Sequence, residues 1–355
     1  MDYKDRINSI RKSLSKSDID TAFISSKDNI RYYSGFTGTL AFLLITENKS
    51  IIITDSRYIV RAQEESPDYE IYQLKSGDNW IENSTNQTKS KVIGFEGNFV
   101  SFNMLNQLKE RANKDLIWKD YSEQISKERV IKSKSEVEKI EAAISISDRA
   151  FNAVSKEIEV GMTEKEIAWE IEKEMRILGA ESISFDTIVA SGLNGSKPHH
   201  SPTNKQISNG EAITIDMGAK LNGYCSDLTR TIFIGKPDEK FKKIYNIVLR
   251  SQLISIETAK DGMTGEEIDK ISRDIISEEG FGEYFGHSLG HGVGLEIHEN
   301  PGVGPNSKNE ITPGMVYTIE PGIYIDGWGG IRIEDMVLMT DNGNKLLSHA
   351  EKGSY

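Results

Sequence analysis

The chain has 355 residues, a length that favours two domains over a single hydrophobic core. Its 37% hydrophobic and 28% charged residues are typical of a globular protein in water, and no apolar run approaches the roughly 20 residues that span a bilayer. The net charge of -12 argues against nucleic acid or an anionic membrane as the main partner, because both require basic surface. The polar residues 1–6 lack a signal core, and the single cysteine, Cys225, favours a reducing cytoplasm over a disulfide framework.

Residues 1–126 alternate strand-like and helix-like segments, which predicts an α/β domain. Segments 57–65 and 101–112 have amphipathic helical patterns. We interpret residues 29–38 (NIRYYSGFTG) as a strand-to-turn segment that packs two aromatic side chains, with catalysis as the less favoured alternative. This part of the sequence has no histidine, so we predict a supporting role. Five short segments rich in β-branched and aromatic residues are typical of strands: 19–24, 41–46, 50–55, 69–74 and 91–96.

A domain boundary is predicted at residues 127–135, which we interpret as a linker because most of them are polar and show no periodicity. Ser133 and Glu136 have the spacing of a capping box at the start of a helix. The second domain is therefore predicted to cover residues 136–355.

This second domain contains an internal repeat. Residues 161–167 (GMTEKEI) recur at 262–268 (GMTGEEI), with five of seven positions identical and an offset of 262 − 161 = 101 residues. Each copy follows a helical segment and opens another through a Thr-x-x-Glu cap, and the new helices are predicted to end near Gly179 and Gly280. Chance similarity between helix caps is the alternative, and the sequence after each copy makes it less attractive.

A β-hairpin with two carboxylates is predicted after each copy of the repeat. In the first half, segments 212–217 and 227–234 are connected through Asn222-Gly223 and carry Asp216 and Asp227. In the second half, segments 315–320 and 331–336 are connected through the turn at 326–327 and carry Glu320 and Glu334. A pseudo-twofold arrangement of the two halves would bring all four carboxylates to its centre.

Four converging carboxylates repel one another unless cations neutralise them, so a pair of divalent metals is predicted at this centre. An oxygen-rich set with one histidine, His291, favours Mn, Co, Fe or Zn over a thiolate-type zinc site. Separate solvation of the four acids is the alternative. It agrees poorly with the strongly apolar β-sequence around Asp216, Glu320 and Glu334.

The six histidines of the chain are unevenly distributed. Three of them, at positions 287, 291 and 298, lie in the glycine-rich stretch 286–299 (GHSLGHGVGLEIHE), and two more, His199 and His200, are adjacent. Imidazole is the common metal ligand and acid/base near neutral pH, so the stretch favours an active site. A glycine-rich loop with incidental histidines is the alternative.

The second domain resembles the pita-bread metallopeptidases, which include methionine aminopeptidase, aminopeptidase P and prolidase. The first domain is similar to the creatinase-type N-terminal domain through NIRY at 29–32 and SGFTG at 34–38, which implies the proline-directed branch. Creatinase itself shares the fold without a metal centre, and the complete ligand set here argues against it. The resemblance in the second domain is carried by IDMG at 215–218, YCSDLTR at 224–230, HSLGHGVGLEIHE at 287–299, TIEPGIY at 318–324 and IRIED at 331–335.

The resemblance implies a fold and a metal centre. The fold is an α/β N-terminal domain followed by an α+β domain of pita-bread type with a pseudo-twofold repeat. Asp216 would bind one metal, Asp227 and Glu334 would bridge both, and His291 and Glu320 would bind the other. A hydroxide between the metals would be the nucleophile, with Glu320 as the group that transfers its proton.

Substrate-contacting residues are also implied by the resemblance. His199, which follows Pro198, matches a histidine near the scissile bond, and His200 is interpreted as incidental. His287 and His298 match pocket histidines, and His298 would stabilise the tetrahedral intermediate or hold the scissile carbonyl.

Arg332 and Tyr324 complete the predicted pocket. Arg332 shares a strand face with Glu334, and two roles stay open for it: binding a substrate carboxylate, or fixing the groups around the metal ligands. Tyr324 is a further candidate for substrate binding.

These residues together predict a cytoplasmic metallo-exopeptidase that hydrolyses Xaa-Pro dipeptides, with two divalent ions, manganese first and cobalt, zinc or iron as alternatives. Aminopeptidase P activity on longer peptides is the close alternative, and a metal-free peptide-binding module is the alternative of a different class. The predicted partners are short proline-containing peptides and a second copy of the chain in a homodimer, without nucleic acid or membrane.

Overall fold

The computed structural model describes residues 3–355, so Met1 and Asp2 of the predicted first domain lie outside the described residues. The chain divides into two compact units, one ending at Arg129 and the other running over Val130–Tyr355. Of the helices in residues 3–355, none has both the length and the apolar character needed to cross a membrane.

A six-stranded sheet is the centre of the first unit. Its strand order is β4-β3-β2-β1-β5-β6, with antiparallel pairing within β1–β3 and parallel pairing at both edges. The five predicted strands are confirmed. The sixth was missed because its sequence is short and partly exposed at the sheet edge, without an apolar run. The strands are β1 (Thr21–Ile24), β2 (Phe42–Thr46), β3 (Ser50–Thr54), β4 (Glu70–Gln73), β5 (Val92–Phe95) and β6 (Ile117–Asp120).

Helices surround this sheet, and one of them corrects the interpretation of residues 29–38. The side chain of Ser26 caps a helix at its N-terminus, and Gly35, with φ of 80°, ends it in the left-handed conformation. The first part of the segment is therefore helical, although Tyr32 and Tyr33 are buried as expected. The helices are α1 (Tyr3–Leu14), α2 (Lys27–Ser34), α3 (Ile59–Glu65), α4 (Trp80–Thr88), α5 (Phe102–Arg111) and α6 (Ser122–Lys127).

The second unit begins inside the segment that we interpreted as a linker. Ile131 forms a β-bridge with Met315, and the N–H of Lys132 donates to the carbonyl of Gly314 at 2.8 Å. The capping box at Ser133 is present and opens the first of four helices. These are α7 (Lys134–Val154), α8 (Glu164–Ile177), α9 (Glu239–Thr258) and α10 (Gly265–Glu278).

Short antiparallel strands form the remainder of the second unit. β9 and β12 pair as predicted, and the predicted turn at Asn222 and Gly223, with φ of 50° and 81°, joins two further short strands, β10 and β11, that lie between them in the chain. The second hairpin differs from the prediction: β15 pairs with β18, whereas β16 pairs with β17, so that Glu334 lies between two strands rather than within one. The strands are β7 (Ser182–Ile183), β8 (Ile188–Ser191), β9 (Ala212–Met217), β10 (Ala219–Leu221), β11 (Tyr224–Cys225), β12 (Leu228–Phe233), β13 (Gly290–Gly292), β14 (Glu299–Val303), β15 (Val316–Ile319), β16 (Gly322–Ile325), β17 (Gly329–Arg332), β18 (Asp335–Thr340) and β19 (Gly343–Leu346).

Two apolar cores of similar design reflect the sequence repeat. In the first, α7 and α8 pack on alternate side chains of β9, where Ile213, Ile215 and Met217 are fully buried. In the second, α9 and α10 pack on β15 and β18 through residues such as Ile319 and Val337. Because alternate residues of a strand point to opposite faces, the faces turned away from the helices are available for polar side chains.

A substitution at Gly265, the first residue of α10, can test the packing of the repeat. A Cβ there would lie 2.2 Å from the carbonyl oxygen of Gly302 and 2.7 Å from Ser307 Oγ. We therefore expect Gly265→Ala to lower the free energy of unfolding by about 1–3 kcal/mol, although alanine favours helices over glycine by about 1 kcal/mol. Urea unfolding measures the change. Gly286→Ala, whose Cβ would meet no atom within 4 Å, is the control and should stay within about 0.5 kcal/mol. A stabilised Gly265→Ala would contradict the packing.

Candidate metal centre and active site

A cavity of about 640 Å³ lies within the second unit. It contains every residue that was predicted as a metal ligand and most of those predicted to contact substrate. Phe185, Ile188, Pro202 and Ile297 add apolar surface to it. The predicted residues that line it are Asp216, Asp227, His291, Glu320, Glu334, His199, His287, His298 and Arg332.

The strands explain why the carboxylates meet. Asp216 is on the face of β9 opposite to the buried Ile213, Ile215 and Met217, so it points into the cavity. Asp227 directly precedes β12, and the pairing of the two strands sets Thr229 beside Asp216.

The two halves of the unit join at the same place. The backbone N–H of Glu334 donates to the carbonyl of Thr229 at 3.1 Å, and the Thr229 hydroxyl donates to Glu334 Oε2 at 2.6 Å. Glu320 follows β15, and its Oε1 accepts from Thr318 at 3.0 Å, while the Thr318 hydroxyl accepts from the N–H of His291. Neither threonine was predicted as a site residue, because a threonine in a β-rich sequence is ordinary.

Asp227, His291 and Glu334 form a compact group of potential ligands, with one ligand atom from each within 4.8 Å of the other two. His291 Nε2 lies 3.5 Å from Asp227 Oδ2 and 3.4 Å from Glu320 Oε1. Asp227 and Glu334 are almost completely buried. The side chains thus turn their donor atoms toward a shared point.

The protonation of His291 fits metal binding. Its Nδ1 lies 3.1 Å from the carbonyl oxygen of Gly292, which only accepts hydrogen bonds, so Nδ1 carries the proton. Burial lowers the pKa of His291 to about 4, and the ring is neutral at pH 7. Its Nε2 therefore presents a lone pair to the carboxylates, in the arrangement of a ligating histidine whose other N–H is held by a carbonyl.

The carboxylates disfavour one another's charge. Burial raises the pKa of Asp227 well above its ordinary value, and three neighbouring carboxylates, that of Glu334 first, raise it further. Burial, followed by the charges of Glu320 and Asp216, raises the pKa of Glu334 well above its ordinary value. Burial raises the pKa of Glu320 to about 8, although the charge of Arg332 opposes the rise. Divalent cations between these groups would remove the repulsion and restore the ionised forms.

Asp216 adds an independent observation. Its Oδ2 accepts a hydrogen bond from Arg332 Nη2 at 2.8 Å. Its Oδ1 is buried and, within residues 3–355, has no hydrogen-bond donor. A buried carboxylate oxygen without a partner is costly, and a cation is the partner that such an oxygen takes. The donor set therefore fits divalent metal ions.

Arg332 is 3% exposed and connects the carboxylates to the substrate side of the cavity. Beyond Asp216, it donates through Nε to the hydroxyl of Thr229 at 3.1 Å and through Nη1 to the hydroxyl of Tyr324 at 2.8 Å. Of the two roles considered for it, these contacts support the fixing of groups around the metal ligands. Tyr324 does not line the cavity, and its hydroxyl instead contacts His287 Nε2 at 2.9 Å behind it.

The predicted substrate histidines come from different segments that line the cavity. The rings of His291 and His298 have centroids 4.2 Å apart, and His298 is exposed to the cavity. His199 is likewise exposed, on a loop after β8. His200, which we interpreted as incidental to the substrate site, is 8% exposed, and its Nε2 lies 2.9 Å from Glu164 Oε2.

Comparison with known proteins agrees with this geometry. Residues 138–341 match the metallopeptidase family M24, and residues 6–131 match the creatinase/prolidase N-terminal domain. The chain belongs to metallopeptidase family M24. The family implies divalent metal ions, and the group of Asp227, His291 and Glu334 is a candidate for holding one.

Family M24 relatives are similar over nearly the whole chain. The Xaa-Pro dipeptidase of Pyrococcus furiosus is 41% identical over 98% of this chain and 99% of its own length. The structure of an Xaa-Pro dipeptidase from Bacillus anthracis superposes with a TM-score of 0.96 at 40% identity, covering 99% of both chains. An X-Pro aminopeptidase from Thermotoga maritima gives a TM-score of 0.90 at 39% identity, covering 96% of this chain and 99% of its own. The expected pita-bread architecture with a creatinase-type first domain is thereby confirmed.

Removal of a central carboxylate should abolish metal binding. We expect Asp227→Ala and Glu334→Ala to weaken Mn²⁺ binding by more than about 100-fold, because even residues behind metal ligands change affinity by about 10–100-fold. Calorimetric titration of the metal-stripped protein measures this change, with circular dichroism to check folding. Asp186→Asn removes another carboxylate that lines the cavity and should keep the wild-type stoichiometry. Equal losses in all three variants would indicate a general charge effect and contradict the ligand assignment.

The hydroxyl of Tyr324 should matter for turnover more than for folding. Tyr324→Phe removes the contacts to Arg332 and His287 while preserving the ring. We expect kcat/KM for an Xaa-Pro peptide to fall about 10-fold or more, because a small misplacement of catalytic groups is costly. The melting temperature and metal content should stay close to the wild type. Tyr284→Phe, at an exposed tyrosine, is the control, and equal activity of the two variants would contradict a role for the Tyr324 hydroxyl.

Proposed function

We propose that this protein is a metal-dependent exopeptidase that hydrolyses the Xaa-Pro bond of dipeptides. The observation that carries the proposal is the convergence of four carboxylates and the neutral His291 on one cavity. The name of the 41% identical relative from Pyrococcus furiosus, Xaa-Pro dipeptidase, supplies the substrate class. A proline peptide bond has no N–H and a restricted approach, so a dedicated site for it is physically reasonable.

Two divalent metal ions are proposed for the site, with manganese first and cobalt, zinc or iron as alternatives. Asp216 would hold one ion, His291 and Glu320 the other, and Asp227 and Glu334 would contact both. When bound, such ions lower the pKa of water toward neutrality and polarise the scissile carbonyl.

The protein's own residues would orient substrate and transfer protons around that centre. Glu320 would accept the proton of the attacking water through a carboxylate oxygen and deliver it to the proline nitrogen. His298 would donate to the oxygen that becomes negative in the tetrahedral intermediate. His199 and His287 would contact the substrate from other sides, and Arg332 would keep Asp216 in place through the 2.8 Å hydrogen bond.

Cleavage of longer peptides, as by aminopeptidase P, is the second candidate function. The observation that favours it is the structural similarity to an X-Pro aminopeptidase from Thermotoga maritima, with a TM-score of 0.90. The two activities share the chemistry at the scissile bond and differ in the space beyond the proline.

Two further properties stay predictions. A cytoplasmic location is predicted because the single cysteine, Cys225, excludes an internal disulfide framework and fits a reducing compartment. A homodimer is predicted from the resemblance, and light scattering measures its mass.

The decisive assay offers two substrates to metal-stripped protein with and without Mn²⁺ or Co²⁺. We expect metal-dependent cleavage of an Xaa-Pro dipeptide and at most slow cleavage of the Xaa-Pro-Xaa tripeptide. Chromatographic detection of the released N-terminal residue measures both reactions. The corresponding Xaa-Ala dipeptide is the control for proline selectivity.

Each outcome of the assay separates the candidates. Faster cleavage of the tripeptide would favour the aminopeptidase P activity. Absence of metal-dependent cleavage of both proline peptides would contradict the peptidase proposal and favour a binding module.

A further inference from the structure

Glu164, the first residue of α8, is a completely buried carboxylate outside the metal centre. Its Oε1 accepts from the N–H and hydroxyl of Ser191 at 2.9 and 2.7 Å and from Asn194 Nδ2 at 3.0 Å. Its Oε2 accepts from His200 Nε2 at 2.9 Å and from the N–H and hydroxyl of Thr203 at 3.0 and 2.7 Å. One carboxylate thus receives six hydrogen bonds.

All six donors belong to one segment, residues 191–203, which leaves β8 and returns toward α8. This segment carries His199, and residues 198–202 form one wall of the cavity. On the cavity side, the carbonyl of Pro198 accepts from Arg332 Nη1 at 3.4 Å. Glu164 therefore binds the segment on the side away from the cavity. Arg332, which also binds Asp216, contacts the segment on the cavity side.

The hydrogen bonds determine the charge of Glu164. Burial opposes ionisation, but the donors Asn194, Thr203, His200 and Ser191 outweigh it and lower the pKa of Glu164 to about 2. The group is an anion at neutral pH, and both of its oxygens only accept hydrogen bonds. Glutamine has the same size but replaces one acceptor by an NH₂ group, which would face donors.

The internal repeat shows that this contact is specific to one half of the unit. Both copies hold the following segment by similar backbone bridges, from Thr163 to Gln206 and from Thr264 to Glu310. At the position matching Glu164, the second copy has Gly265, where even a Cβ would lie 2.2 Å from the backbone of residue 302. A side-chain anchor therefore occurs only in the half whose segment carries His199.

We propose that Glu164 is a positioning residue that fixes the segment 191–203 and thereby holds His199 in place for the reaction. The inference rests on the proposed function in one respect, the contact of His199 with substrate. Glu164 itself would touch neither substrate nor metal and would act through the segment. The buried His200 would serve the same purpose as one of its donors.

A double-mutant cycle tests this coupling in the full-length, metal-loaded protein. We expect Glu164→Gln to lower kcat/KM for the Xaa-Pro dipeptide by about 10- to 100-fold, mostly through kcat, because a displacement of about 1 Å has effects of this size. In a His199→Ala background the same substitution should change kcat/KM by less than about threefold, since the group that it positions is gone. A loss that is equally large in both backgrounds would overturn the proposal.

Glu166→Ala is the matched control at the same helix end. Glu166 belongs to the capping box with Thr163, is exposed, and accepts hydrogen bonds from the N–H and hydroxyl of Thr163 rather than from residues 191–203. We expect it to lower the melting temperature while kcat/KM stays within about twofold of the wild type. A comparable loss of activity in this control would show that general weakening of the helix end, rather than the anchor, lowers turnover.

Hydrogen–deuterium exchange of peptides covering residues 191–203 supplies a readout that needs no activity. Glu164→Gln should speed exchange there at least about 10-fold relative to Glu166→Ala, and unchanged exchange would contradict the anchoring. If Glu164→Gln fails to fold, the variant Thr203→Val, which removes a single donor to Glu164, takes its place in the kinetic and exchange measurements. The expected directions of change are the same. An inactive wild type would contradict the proposed function alone, since the exchange comparison still decides whether Glu164 fixes the segment.

Discussion

Repulsion among four converging carboxylates, two of them buried, is the constraint on which the second unit depends. Asp227 and Glu334 are nearly inaccessible to solvent, and burial together with neighbouring carboxylates raises the energy of the charged form of each. Such a cluster lowers the stability of the metal-free protein, so we infer that its function is to bind cations. Asp216 Oδ1, which has no hydrogen-bond donor among the described residues, and the neutral His291 point to the same conclusion from different chemistry.

The repeat supplies the geometry for this cluster. Two helix pairs pack on two strand systems, and each strand system turns its polar face to a shared cavity. The two halves differ at the first residue of the second helix in each pair. The first has Glu164 as a buried anchor for a segment of the cavity wall, whereas the second has Gly265 because the following segment packs directly on the helix end.

Most of the fold followed from local patterns. The apolar alternation of β9, the Asn222-Gly223 turn and the Thr-x-x-Glu caps indicated their elements, because each has a local physical cause. Residues 29–34 were misread because buried tyrosines suit strands as well as helices, and the cap at Ser26 lay outside the segment considered. The edge strand β6 had no apolar run to reveal it.

The sequence by itself determined which residue types the site contains, since carboxylates within apolar β-sequence and a histidine among glycines already indicate metal chemistry. Only the tertiary structure decided how they are supported. The contacts of Arg332 with Asp216 and of His200 with Glu164 join residues 116 and 36 positions apart. No local pattern encodes such contacts, because hydrogen bonds across this distance depend on how the strands and the following segments pack.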